Sequence, residues 1–173
     1  MRQSDSDLNV VRVGVETVDL SIREDLDADA LVYDMLHRID FDAAGLPNVV
    51  VQSEIDPATE SLLLDHDVVL YSCGAPEQPD WNLKAWIWRF TLSLTVLSSD
   101  PMRCRRISAL LNRRIASWPY EEPTDHGKVG RLVDNPGFRK ISAGDMTTSK
   151  TITARTSTKL VQAASPTNTT MPA

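Results

Sequence analysis

Chemistry in a chain announces itself through a few residue types at set spacings, and those residues come first. Gly127-Lys128 suggests a phosphate loop, but Val129 follows the lysine and Glu122 stands five residues before the glycine, so the Walker spacing fails. The three histidines, His37, His66 and His126, are isolated in sequence. His66 lies in Asp65-His66-Asp67 at the start of an expected strand, where a solvated turn explains it better than a metal or an acid–base pair. Ser72-Cys73-Gly74 ends another expected strand and lacks the glycine two residues before the nucleophile that a strained elbow needs. The two cysteines, Cys73 and Cys104, match no redox or metal spacing and are expected to be reduced thiols in a cytoplasmic product. No paired carboxylates, metal cluster or nucleophile constellation emerges, so neither catalysis nor a cofactor is expected.

Charge is the stronger signal. The net charge is −6, unevenly spread. Residues 1–42 hold eleven acids against four arginines, a net of −7. Residues 101–118 hold Arg103, Arg105, Arg106, Arg113 and Arg114 and no acid. A basic helix suggests nucleic acid, but the chain is acidic overall and its aromatic residues are expected in the core, not beside those arginines. The N-terminus has no charged start leading into an apolar run, and no apolar run reaches the ~18 residues of a membrane helix, so neither a signal peptide nor a membrane partner is expected.

These residues must be positioned by elements, and one element dominates. In LKAWIWRFTLSLTVL, residues 83–97, the even positions include Trp86, Trp88, Phe90, Leu92, Leu94 and Val96, and the odd ones Arg89, Thr91, Ser93 and Thr95. Strict alternation predicts a half-buried strand. Fifteen residues would span about 50 Å at ~3.3 Å each, far beyond the usual ~17–20 Å. Such a strand needs paired neighbours and a helical cover, and an end that outruns its neighbours must be shielded or join another chain. Leu92→Asp is expected to unfold the subunit, and Arg89→Glu to leave it folded.

Around that strand, Leu31, Val32, Met35, Leu36 and Ile39 mark one face of a helix over 29–40, capped by Asp27 or Asp29. Short strands are expected at 48–54 and 66–74, with one helical turn in Ala58–Leu64 between them. Asp100-Pro101 starts a basic helix that runs to about Ser117 with Met102, Ile107, Leu110, Leu111 and Ile115 inward. Residues 131–142 read as a hairpin-like turn around Asn135-Pro136-Gly137, and 151–163 as a polar strand with Arg155, Ser157 and Lys159 opposite Ala154, Thr156 and Thr158. Residues 1–24 read as an arm or short strand, 25–163 as a single domain, and 164–173 as a flexible tail. The class is α+β: a mainly antiparallel sheet with two principal helices on one face.

The order of these motifs resembles the tail terminator, or tail completion, proteins of long-tailed bacteriophages, especially siphophages of actinobacteria. The likeness is carried by Leu46-Pro47-Asn48-Val49-Val50-Val51, by Val68-Val69 leading to Gly74, by the long strand running into a basic helix that ends near Trp118, and by Pro136-Gly137-Phe138 before a threonine-rich strand. It spans about residues 25–163, and residues 1–24 fit it least. The resemblance implies a structural virion protein, made in the host cytoplasm, at the head–tail interface. Its homohexameric ring would cap the head-proximal end of the tail tube and stop tube polymerisation. It would offer a surface to the head connector and pass DNA through its lumen unread. The partners implied are the chain itself, the tail tube protein and the connector or stopper protein. The interface residues expected are Arg89, Thr91, Arg103, Arg106, Arg113, Arg155 and Lys159 on the polar and basic side and Asp25, Asp27 and Asp34 on the acidic side. Another neck protein of the same particle, a small α+β enzyme and a cellular peptide-binding domain are the rivals.

Overall fold

Why the chain folds where it does is clearest at the ends of its elements. The structure is a computed structural model and describes residues 10–13, 16–19, 25–78, 86–142 and 151–166. Its first elements are two short strands, β1 (Val10–Val13) and β2 (Glu16–Asp19), paired antiparallel as a separate hairpin. Helix α1 (Ala28–His37) starts at Asp27, whose carboxylate accepts the Ala30 N–H at 3.0 Å and so satisfies one of the unpaired donors of the first turn. Its buried residues Leu31, Val32, Met35 and Leu36 are those of the expected face. Strand β3 (Val49–Gln52), helix α2 (Thr59–Leu62) and strand β4 (Asp67–Cys73) follow. Then come β5 (Ile87–Ser98) and α3 (Pro101–Ser117). Asp100 caps α3 by accepting the Met102 and Arg103 N–H groups, with Pro101 in the first turn, where its missing N–H costs nothing. Strands β6 (Lys128–Asp134), β7 (Arg139–Ile141) and β8 (Thr153–Ala164) complete the chain.

The six strands β3 to β8 form one sheet in the order β3-β4-β5-β8-β6, with β7 also paired to β8. All pairs are antiparallel except β3 with β4, which run parallel through the short α2 crossover. The class is therefore α+β, as the sequence predicts.

The alternation of the long strand is realised. Phe90, Leu92, Leu94 and Val96 are buried and Thr91 is exposed. They pack with α1 and with Cys104, Ile107, Leu111 and Ile115 of α3, which cover this inner face, whereas Met102, expected inward, is exposed because it lies on the side of α3 away from Ile107 and Leu111. Helix α2 covers only one end of the opposite face, where Leu63 meets Val68, Leu97 and Ala154.

Three expectations change. First, β5 has 12 residues and β8 matches it, pairing from Ile87↔Ala164 to Ser98↔Thr153. Its other edge pairs with β4 and then with Gly74 and Glu77, whose N–H groups reach the carbonyls of Thr91 and Arg89. Within the described residues β8 thus takes up the strand's length from end to end; residues 83–85 of the expected strand lie outside the described residues. Second, residues 131–142 form no hairpin. Strands β6 and β7 run the same way along one edge of β8. Between the pairs Asp134↔Leu160 and Arg139↔Thr156 the edge strand advances five residues against four on β8, a bulge of one residue at Asn135–Phe138. Third, residues 164 and 165 belong to the fold rather than to a tail: Ala164 ends β8 and the buried Ser165 donates its N–H to the Trp86 carbonyl at 2.9 Å. Residues 167–173 of the expected tail and residues 1–9, 14–15 and 20–24 of the expected arm lie outside the described residues.

Candidate functional site

The ten residues expected at an interface separate into groups once the fold is in place. Arg103, Arg155 and Lys159 serve the chain itself. The Arg103 guanidinium pairs with the buried Asp67 at 2.7 Å and also donates to the Pro47 carbonyl, tying the start of α3 to β4. The half-buried Arg155 donates to the Phe138 carbonyl at 2.9 Å. Lys159 corrects the sequence reading most, because its side chain is only 1% exposed and cannot face a partner.

The parity of β8 explains this. Its Ser157, Lys159, Val161 and Ala163 face the core beside Leu94, Leu92 and Phe90 of β5, so two polar residues of a polar-looking strand are carried inward. The bulge receives them. It leaves the Pro136 carbonyl without a ladder partner, and that oxygen accepts from Ser157 Oγ and Lys159 Nζ, each at 2.8 Å. Lys159 Nζ also donates to Asn112 Oδ1 of α3 at 2.9 Å and to Asn135 Oδ1, and lies 5.4 Å from the centre of the Phe138 ring. An ammonium has three N–H groups, and three neutral oxygens take them. No ion pair with a carboxylate accompanies them among the described residues, and burial lowers the Lys159 pKa to about 8, with Asp134 acting weakly against the shift.

The outer face of the sheet holds the second group. Arg89 donates Nε to Gln162 Oε1 across the strands at 3.2 Å. Thr91 is exposed beside Gly74, where a Cβ would come within 2.4 Å of its hydroxyl. Ser93 meets Thr158 at 3.5 Å and Thr95 meets Thr156 at 3.2 Å, a ladder of cross-strand hydroxyls. Arg89, Thr91, Gly74 and Glu77 border an open concavity of about 520 Å³.

Charges of both signs form the third group. Arg106 and Arg113 are exposed on α3 and make no ion pair among the described residues; Arg105 shares this state, whereas Arg114 lies 3.5 Å from Glu121. Asp25 is exposed before α1, and Asp27 is spent as its cap. Asp34 accepts from His126 Nδ1 at 2.7 Å, and this bond raises the pKa of the imidazole. Asp34 lines a groove of about 590 Å³ between α1 and the β3–β4 edge, together with Asp29, Tyr33, Glu54, Tyr71 and Cys73. The sequence points to Asp34 but not to Glu54, Tyr33 or Tyr71, which lie on three different elements or loops and come together only by folding.

Burial first, and then the Asp29 carboxylate, push the Cys73 thiol far above its ordinary range, which removes the thiolate a nucleophile requires. Burial likewise raises Cys104 to about 11, with its Sγ donating to the Val96 carbonyl at 3.5 Å. Both are free thiols. Among the described residues no three His, Cys, Asp or Glu side chains converge as a metal site requires, and no helix is long and apolar enough to cross a membrane. No protein-family model matches the chain, and no curated protein matches it.

Proposed function

We propose that this chain is a structural subunit of a long-tailed phage particle, a tail terminator that assembles as a ring on the head-proximal end of the tail tube. In this reading it ends tube polymerisation, joins the tail to the head connector, and works by contact rather than by catalysis. The observation that carries the reading is the outer sheet face. Two 12-residue strands pair along their whole length, yet beyond the end covered by α2 that face presents Thr91, Ser93, Thr95, Thr156 and Thr158 with no helix over them among the described residues. A hydroxyl-rich, internally bonded surface of this kind suits a wet protein contact or a channel wall, because it offers hydrogen bonds without a large apolar area to hide. The order of sequence motifs and the α+β class agree with that role.

Light scattering on a size-exclusion column, with negative-stain images of the peak and of a mixture with tail tubes, tests it. Rings, or caps at one end only of the tubes, are expected. A chain that stays monomeric and never touches tubes would refute the role. Arg89→Glu is expected to keep the wild-type melting temperature within about 3 °C, because a half-exposed side chain with one neutral partner contributes little to stability. The same variant is expected to lower the yield of capped tubes severalfold. Normal capping by it would remove the sheet face from the contact.

A further inference from the structure

The groove between α1 and the β3–β4 edge is lined by several carboxylates. Its main part, about 590 Å³, is continuous through Tyr33, Glu54 and Tyr71 with a second concavity of about 320 Å³. The carboxylates of Asp29, Asp34 and Glu54 line it, and among the described residues its one basic lining residue is His126, already bound to Asp34. Glu54 is exposed and has no ion pair among the described residues. Tyr33 is 51% exposed at the rim, with its ring stacked 3.9 Å from that of His37. Carboxylates beside an open aromatic face are what a guanidinium prefers, since its planar fork bonds the former and its flat face stacks on the latter.

The matching surface lies on α3. Met102, Arg106, Ala109, Arg113 and Ala116 are all exposed and follow one another at spacings of four and three, so they form one stripe along the helix. Met102 is 58% exposed. Arg106 and Arg113 are about 10 Å apart along the axis at ~1.5 Å per residue, and the alanines between and beyond them let another surface approach closely. Neither arginine has an ion pair among the described residues. Among the described residues these arginines and the groove carboxylates make no ion pair with each other, but those of two copies can when the copies meet head to tail.

We infer that the acidic, tyrosine-rimmed groove of one copy receives Arg106 and Arg113 of the α3 helix of a second copy. The inference deepens the ring reading and rests on it. Its contact is heterologous, so every copy gives a helix and takes one, and a closing rotation makes a ring. The charges set register and steer encounter, and the association weakens as salt rises.

Two variants test it: Arg106→Glu/Arg113→Glu on the helix and Asp34→Arg/Glu54→Arg in the groove, with Glu54→Arg alone in reserve should loss of the His126 contact unfold the double variant. Circular dichroism confirms folding, and self-association is read by light scattering in solution and by imaging on tail tubes. Each variant alone is expected to lose at least tenfold in self-association. An equimolar mixture is expected to recover it, because each reversed helix then meets a reversed groove. Variants that assemble alone like the wild type would overturn this contact and leave the ring reading standing. A groove variant that self-associates normally but no longer holds tubes would make the tube protein the occupant, which also overturns the inference. If the wild type neither self-associates nor caps tubes, the ring reading itself fails, and this contact with it.

Discussion

Leu94→Asp is expected to leave no measurable folded subunit in water at 25 °C. Leu94 is fully buried in the centre of β5, opposite Ser157 on β8 and Tyr71 on β4. Truncating a buried leucine costs about 2–5 kcal/mol, and a carboxylate without a cationic partner adds several more or must take up a proton. The sum reaches the whole stability of an ordinary domain, about 5–15 kcal/mol. Leu92→Asp, two residues earlier on the same face, is expected to be milder by about 2 kcal/mol, because Leu92 stands directly opposite Lys159, a buried ammonium without a carboxylate. The sequence predicts simple unfolding for Leu92→Asp; the cross-strand neighbour changes that expectation. Urea unfolding followed by circular dichroism distinguishes the two. Equal loss at both positions would show that the new carboxylate does not reach Lys159.

The second large effect concerns Lys159 itself. Its pKa is lowered in the folded chain to about 8, from the ordinary lysine value of 10.5. The fold therefore disfavours the protonated form. That penalty is fully present below about pH 8 and is relieved as the pH rises toward 10.5, because over this window the unfolded chain holds more protons than the folded one. The shift amounts to about 3 kcal/mol at ~1.4 kcal/mol per pKa unit. Stability of the wild-type chain should carry a rising contribution of that order between pH 8 and 10.5. Lys159→Met should lack it. Below pH 8 the methionine variant leaves the Asn112 and Asn135 oxygens without the Lys159 donor, at about 1–3 kcal/mol for each acceptor orphaned, while the Pro136 carbonyl keeps Ser157 Oγ, but it also sheds the buried charge. A net change that favours neither residue strongly is expected there, with the wild type clearly the more stable at pH 10. Urea midpoints at pH 7 and pH 10 for both chains decide the matter. Parallel pH profiles would mean that Lys159 does not titrate in the buried site.

Both predictions turn on a strand whose pattern deceives. In β5 the alternation of Phe90, Leu92, Leu94 and Val96 with Arg89, Thr91, Ser93 and Thr95 is unambiguous, and the structure follows it residue by residue. Local signals did as well at the helix starts, since a carboxylate at Asp27 or Asp100 bonds the N–H groups two or three residues on and needs nothing from the rest of the chain. The α+β class followed from the same local periodicities.

The inward face of β8 could not be read that way. Serine, lysine and arginine alternate there with alanine and threonine, and neither set is apolar enough to choose the core side on its own. The choice came from pairing with β5, whose greasy face dictates that Ser157, Lys159, Val161 and Ala163 turn inward. Burying Lys159 is then tolerable only because a distant bulge at Asn135–Phe138 and a distant helix residue, Asn112, bring oxygens to it. Asn-Pro-Gly, read locally, means a reversal of the chain; held against β8 it becomes a one-residue slip in a continuing edge. The acidic groove has the same origin, for Asp34, Glu54 and Tyr71 are ordinary surface and strand residues until α1 is laid beside β3 and β4. By itself the sequence determined what depends on neighbours within a few positions: caps, helix faces, the long strand and the separation of acidic from basic segments. The tertiary structure alone decided which polar groups are buried, because burial depends on partners far along the chain that no local pattern specifies.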